Sequence, residues 1–308
     1  MKNLFPILLM LIIMVNASAH GGKNHEHANI FENLQGNNKA AILMVHFGTT
    51  HDDTRALTID ALNKKAQAEF PGVELREAYT ARIVIKRLGE RGIIKQKPQD
   101  VLAQLKKEGY THILIQPSII IDGVEMESLQ KDVVEVQSQF KEIRIGDPLL
   151  YSPEDYEKLI DVLTKNIDSE TAYIWVGHGT YDSNTAQYAM LDYMLKARGH
   201  TNCFVGTIEG YPSFDDMHQQ LKASRLKKVV LVPLMFVAGE HAKNDIAEDW
   251  KNDLEKEGYS VEVKMEGLGQ NPEVQDLYIS HLKFKSAHRK IGIIEKKAIY
   301  EVTGEKME

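Results

Sequence analysis

Cysteine is almost absent from this 308-residue chain: Cys203 stands alone. One thiol excludes an intrachain disulfide framework and any thiolate cage for zinc or an iron-sulfur cluster. Metal binding, where it occurs, must therefore use His and carboxylates. Long apolar runs are equally scarce. Residues 4–15 form one, behind Lys2 and ahead of Ala17-Ser18-Ala19, and no later stretch is long enough to span a bilayer. At about a dozen residues that run is short for a spanning helix, and its small-residue flank predicts a signal peptide over 1–19 and an extracytoplasmic or periplasmic mature chain without a membrane span. An excess of cations is lacking too, since 44 Asp and Glu outnumber 37 Lys and Arg for a net charge of −7. The chain carries no general attraction for nucleic acid or anionic lipid, and an anionic ligand needs a local basic patch. Neither a P-loop nor a dinucleotide fingerprint is present, so no nucleotide or organic cofactor is expected.

What the sequence has is alternation. Short β-branched runs begin near Ala41, Val73, His112, Glu142, Ala172, Asn202, Lys228 and Tyr259, separated by amphipathic segments such as Ile59, Leu62, Ala66 and Phe70 at helical spacing. Eight strands with helices between them predict α/β units around parallel sheets. An internal repeat refines this. VHFGT (45–49) matches VGHGT (176–180) at an offset of 131, and IQPSIIIDGVE (115–125) matches LVPLMFVAGEH (231–241) at 116. Phe47 falls opposite His178, and Glu125 opposite His241. Two similar four-stranded α/β halves facing across a cleft follow, with the repeat elements at the carboxyl ends of strands, where open parallel sheets bind ligands. The expected boundaries are a His-containing flexible tail over 20–40, halves over 41–150 and 151–285, and an extension over 286–308. That extension is open to two readings, an added edge strand or a homo-oligomer contact.

At FGTTHDDTR, AYTARIVIKRL, GYTHILIQP, VGHGT, GTIEGYPS and above all VPLMFVAGEHAKNDIAEDW the chain resembles the class II tetrapyrrole chelatases, most closely the anaerobic-type sirohydrochlorin cobaltochelatases, over about 41–282. The family includes exported members. The resemblance implies two flavodoxin-like domains with the tetrapyrrole between them, and insertion of a divalent metal into sirohydrochlorin, as in cobalamin biosynthesis, with cobalt ahead of iron or nickel. It implies His178 and His241 as metal ligands and general bases, Glu209 as a third functional group, and a further acidic position at Glu125 or Glu127. His46 lies one residue before the slot where short relatives carry a histidine, and on a strand it points away from Phe47. Residues 118–121 are Ser-Ile-Ile-Ile where relatives often have a histidine, which makes the first half apolar where the second is polar.

The chemistry is consistent with these residue types. Imidazole and carboxylate suit late first-row divalent ions without trapping them as thiolates would, and an imidazole near neutral pH can take a pyrrole proton. The carboxylates of sirohydrochlorin need cations, for which Arg55, Arg82, Lys86 and Arg87 are candidates, with Arg82 and Lys86 sharing a helix face. His20, His25 and His27 form a short His-rich tract of the kind that captures metal. The rival readings are an exported carrier of haem or a metal tetrapyrrole without turnover, and a periplasmic metal-binding protein feeding a transporter.

Overall fold

All eight expected strands form. They are β1 (Ala40–His46), β2 (Glu74–Tyr79), β3 (His112–Pro117), β4 (Glu142–Ile145), β5 (Thr171–Gly179), β6 (Cys203–Glu209), β7 (Lys228–Pro233) and β8 (Ser260–Val263). The computed structural model describes residues 24–32, 34–239 and 242–304. The expected signal peptide, His20, Glu240 and His241 lie outside the described residues. Among those described, no helix is long and apolar enough to cross a membrane.

The strands make two parallel sheets of one topology, ordered β2-β1-β3-β4 and β6-β5-β7-β8. This doubly wound order puts a topological switch point beside β1 in one sheet and beside β5 in the other. Register explains the two different repeat offsets. Val45 pairs with Pro117 and Val176 with Pro233, so residues 131 apart on the central strands meet residues 116 apart on their neighbours.

Alternation along the central strands sorts their side chains between layers. Ile42 and Met44 face the same core as Tyr173, Trp175, Val230 and Val232 of the second sheet. Ala41, Leu43 and Val45 pack under the outer helices of the first half, while Ala172, Ile174 and Val176 do so in the second. Both faces are covered, which is why β1 reads as an unbroken apolar run. The inner faces thus share one core, and both halves belong to one compact unit, 27–289.

Pro272–Ala287, a helix that follows the second sheet in sequence, packs against β3 of the first. Its Tyr278 hydroxyl donates to the Ile119 carbonyl at 3.1 Å. His281 and Asp155 pair at 2.9 Å with side chains 2 % and 3 % exposed, and Lys285 meets Asp147 at 3.0 Å. Asp155 also caps its own helix, Pro153–Thr164, through a reciprocal box with Ser152.

The termini differ from expectation in two places. Within the segment expected as a flexible tail, Ile30 is 2 % exposed in the core, and the N–H groups of Ala28 and Ile30 donate to the carbonyls of Ala287 and Ser286. An isolated Ile beside donors that need partners gains more from docking than from solvent. The C-terminal stretch begins with a short strand, His288–Lys290, in a two-stranded sheet with His25–His27. Ile293–Thr303 is a helix closed by Gly304 in the left-handed conformation, in a second unit with residues 24–26.

Burial alone would raise the Asp155 carboxyl, but hydrogen bonds and charge from His281, with Ser152, outweigh it and hold its pKa down to about 2 from an ordinary 3.8. A carboxyl whose folded pKa is depressed stabilises the fold above its unfolded pKa and loses that contribution as pH falls towards the folded value. Asp155→Asn should therefore cost on the order of 2 kcal/mol at pH 7 and flatten the loss of stability between about pH 5 and 2. Urea denaturation across that range measures both.

Candidate active site

Two stretches of the repeat leave their sheets side by side and enclose a cavity of about 470 Å³ between the halves. Residues 119–121 line it from the first half and 234–237 from the second. Residues 119–121 are the repeat equivalents of 235–237 and both stretches are apolar, while Ser118, the equivalent of Leu234, adds a hydroxyl to the lining. The sequence contrast between an apolar first half and a polar second half does not extend to this part of the wall, because Leu234 to Val237 follow Pro233 without a polar side chain. A volume of this size with few polar groups is that of a small-molecule site.

Among the polar side chains that line this space, four are ionisable groups of opposite character. His178, next to last in β5, lines the cavity, half-buried, with Nδ1 3.3 Å from the Gly179 carbonyl. Glu125 lines it from the first half, in the first turn of Val124–Val136, where the positive end of a helix favours a carboxylate. Arg87 and His51 supply the basic character.

The glycines around His178 set its position. Gly179 has φ +86, and a Cβ there would lie 1.5 Å from the Glu209 carbonyl oxygen, so only glycine lets β5 turn out of the sheet beside β6. Gly177 leaves room for the Tyr188 ring, whose Cε1 would be 2.3 Å from an added Cβ. Tyr188 is 3 % exposed and lines the same cavity. Burial raises its pKa far above the ordinary value, with the Glu125 charge adding to the rise, so it stays a phenol.

The remaining sequence candidates fall elsewhere. Glu209 is exposed at the end of β6 and is not among the residues lining the cavity. Arg55 is held by Asp52 at 2.8 Å and Asp60 at 3.6 Å, away from the cavity lining. Arg82 and Lys86 are exposed on the helix Arg82–Glu90, which turns Ile83, Val84 and Arg87 to the cavity instead. Glu127 is exposed and pairs with Lys131 at 2.6 Å. His46 is fully buried and outside the lining, whereas Phe47 lines it and is 46 % exposed. Among the described residues no three His, Cys, Asp or Glu stand together as a metal site, and His241 lies beyond them. Tyr188 and His51 are not singled out by the sequence, though a signal for the first is there: a glycine directly before a histidine near a strand end needs a bulky neighbour to account for it.

Two doubly wound lobes of one topology, closed over an apolar cavity that carries an imidazole and a carboxylate, define a two-lobed chelatase fold. The family model described as cobalt chelatase (CbiK) matches residues 40–287, and the chain belongs to that family. It is 34 % identical over 252 residues to the sirohydrochlorin cobaltochelatase of Salmonella typhimurium, covering 79 % of this chain and 95 % of that one. It is 29 % identical over 257 residues to the sirohydrochlorin cobaltochelatase CbiKC of Nitratidesulfovibrio vulgaris, covering 79 % and 89 %. Among solved structures, SirB from Bacillus subtilis with Fe3+ superposes with a TM-score of 0.61 at 16 % identity, over 81 % of this chain and 96 % of that one, which shows the shared fold.

Gly177→Ala should push against the Tyr188 ring and lower stability by about 1–3 kcal/mol, as overpacking does in dense cores. Chemical denaturation measures the loss, and adding Tyr188→Leu should recover part of it, since the two side chains share one space.

Proposed function

We propose that this chain inserts a divalent metal, cobalt in the first place, into free-base sirohydrochlorin. The observation that carries the reading is that His178 and Glu125 reach one apolar cavity from opposite halves of the repeat. The names of its relatives supply the substrate: both sirohydrochlorin cobaltochelatases match along nearly their whole length. Iron and nickel are the alternative metals, as their ligand preferences overlap those of cobalt.

Insertion exchanges one M²⁺ for two ring protons. The apolar walls formed by 119–121 and 234–237 take the faces of the macrocycle, and Arg87 takes a peripheral carboxylate. His178 and His241 hold the incoming metal as substrate through neutral imidazole. Glu125 accepts a ring proton or completes the ligand set, with Tyr188 beside it as a neutral phenol. Glu209, exposed at the end of β6, meets the metal or a departing proton at the rim. Arg82 and Lys86 act on the anionic substrate through their charge at longer range, whereas the Arg55 charge is met by Asp52 and Asp60.

The test is to mix the protein with sirohydrochlorin and, separately, cobalt, iron and nickel, and to follow the loss of the free-base spectrum against the uncatalysed rate. Acceleration is expected. Tight binding of the tetrapyrrole without acceleration by any metal would instead identify a carrier. His178→Ala and His241→Ala should each lower kcat by about 10²–10⁴-fold, the range of a lost proton acceptor, with little change in free-base affinity. Arg87→Ala should raise KM for the macrocycle severalfold, while Arg82→Ala should change it less than threefold.

We also read residues 1–19 as an export signal, from the run after Lys2 and Ala17-Ser18-Ala19. N-terminal sequencing of protein recovered from cell fractions should find His20 first, in an extracytoplasmic fraction. An intact Met1 in the cytoplasm would exclude export.

A further inference from the structure

Ser118 lines the cavity at the point where β3 leaves the sheet and is 5 % exposed. Its hydroxyl meets His46 Nδ1 at 2.8 Å. On the other side of that ring, Nε2 lies 3.0 Å from Asn63 Oδ1, and Asn63 Nδ2 donates to Glu77 Oε2 at 3.1 Å. Glu77 in turn is held by Lys95, with side chains 26 % and 14 % exposed.

The direction of every proton in this chain follows from its outer end. An ionised carboxylate only accepts, so the edge of Asn63 facing Glu77 is its NH₂ edge and the edge facing His46 is its carbonyl. That carbonyl accepts, so His46 carries its proton on Nε2. The ring is fully buried between Tyr79 and Phe236, and burial pulls its pKa down to about 4, so it holds one proton only. Nδ1 is then an acceptor, and the Ser118 hydroxyl must donate inward to it. What Ser118 turns to the cavity is lone pairs.

From this geometry we infer that Ser118, oriented by His46, Asn63 and Glu77, is an acceptor-only contact that receives a ring N–H of the free-base macrocycle turned out of the ring plane towards it, and has no counterpart to receive in the metallated product. The inference rests on the tetrapyrrole reading above. Ionised peripheral carboxylates are themselves acceptors and are repelled there, which leaves the ring N–H groups as the donors such a substrate offers. Insertion removes those protons, so the same contact that holds substrate lets product go. His46 is a positioning residue: it touches Ser118, and Ser118 touches the substrate.

Two measurements decide this. Titration of free-base sirohydrochlorin without metal, and of its cobalt complex, should show Ser118→Ala weakening the free base by about threefold to tenfold, the worth of one neutral hydrogen bond, with the cobalt complex unchanged. Equal affinities of wild type and Ser118→Ala for the free base would overturn the inference and leave the proposed activity standing. Failure of the wild type to bind the free base would overturn both. Long-range ¹⁵N–¹H spectra of histidine-labelled wild-type protein give the second measurement, independent of any ligand or variant. A neutral His46 protonated on Nε2 is expected, and an Nδ1–H tautomer or a doubly protonated ring would overturn the inference whatever the protein binds.

Discussion

Beyond the pairs Val45 with Pro117 and Val176 with Pro233, the ladder between a central strand and its neighbour has almost run out. One further backbone bond closes each, from Ser118 N–H to the Val45 carbonyl and from Leu234 N–H to the Val176 carbonyl. Past that bond the chain must leave the sheet, and in a parallel sheet the switch point is where departing segments diverge. Residues 118–121 and 234–237 diverge there, and because the halves share one core their exits converge on one space. The cavity is thus a consequence of register. Its walls are apolar because they continue strands that are covered on both faces.

The constraint that keeps the halves in place is the helix Pro272–Ala287. It ends the second half in sequence yet lies against β3 of the first, and beside the apolar Val274, Tyr278, Ile279 and Leu282 it buries polar contacts: His281 with Asp155, Lys285 with Asp147, and the carbonyls of Lys285 and Ser286 with the Arg144 guanidinium at 2.8 and 3.0 Å. Removing one member of such a pair strands the other without water, so these contacts specify a docking position more than they add net stability. The cavity depends on that position, since the same helix sets Tyr278 on the Ile119 carbonyl at its wall.

How much of this was legible in the sequence varies with the range of the interaction. The strands were legible because β-branched runs and their turns are local, and the two-fold architecture because a repeat needs only self-comparison. The side of β1 on which His46 lies follows from the period of two. Arg87 could not be preferred over Arg82 and Lys86, because all three sit on one short helix whose phase is set by Val84 and Leu88 packing against residues remote in sequence. The pairing of Asp155 with His281 spans 126 residues, and nothing near either announces it. Ser118 was visible only as a missing histidine. Its role emerges from a hydrogen-bonded chain whose members, 46, 63, 77, 95 and 118, are scattered over the first half.

The repeat is also where the two halves part company. Phe47 stands where the second half has His178, and Glu125 stands where it has His241. Four imidazoles at these positions would hold a late transition metal in a complete ligand set, and a protein that must surrender its metal to a macrocycle gains nothing from that affinity. With Phe47 and Glu125 at these repeat positions, the first half offers an aromatic ring and a carboxylate where the second offers imidazole. On the proposed reading, imidazoles of the second half hold the metal while the first half answers them with a carboxylate. The buried polarity of His46 then completes the division: the first half retains a histidine at the end of β1, but turned inward, where it orients a hydroxyl towards the cavity instead of binding the ion.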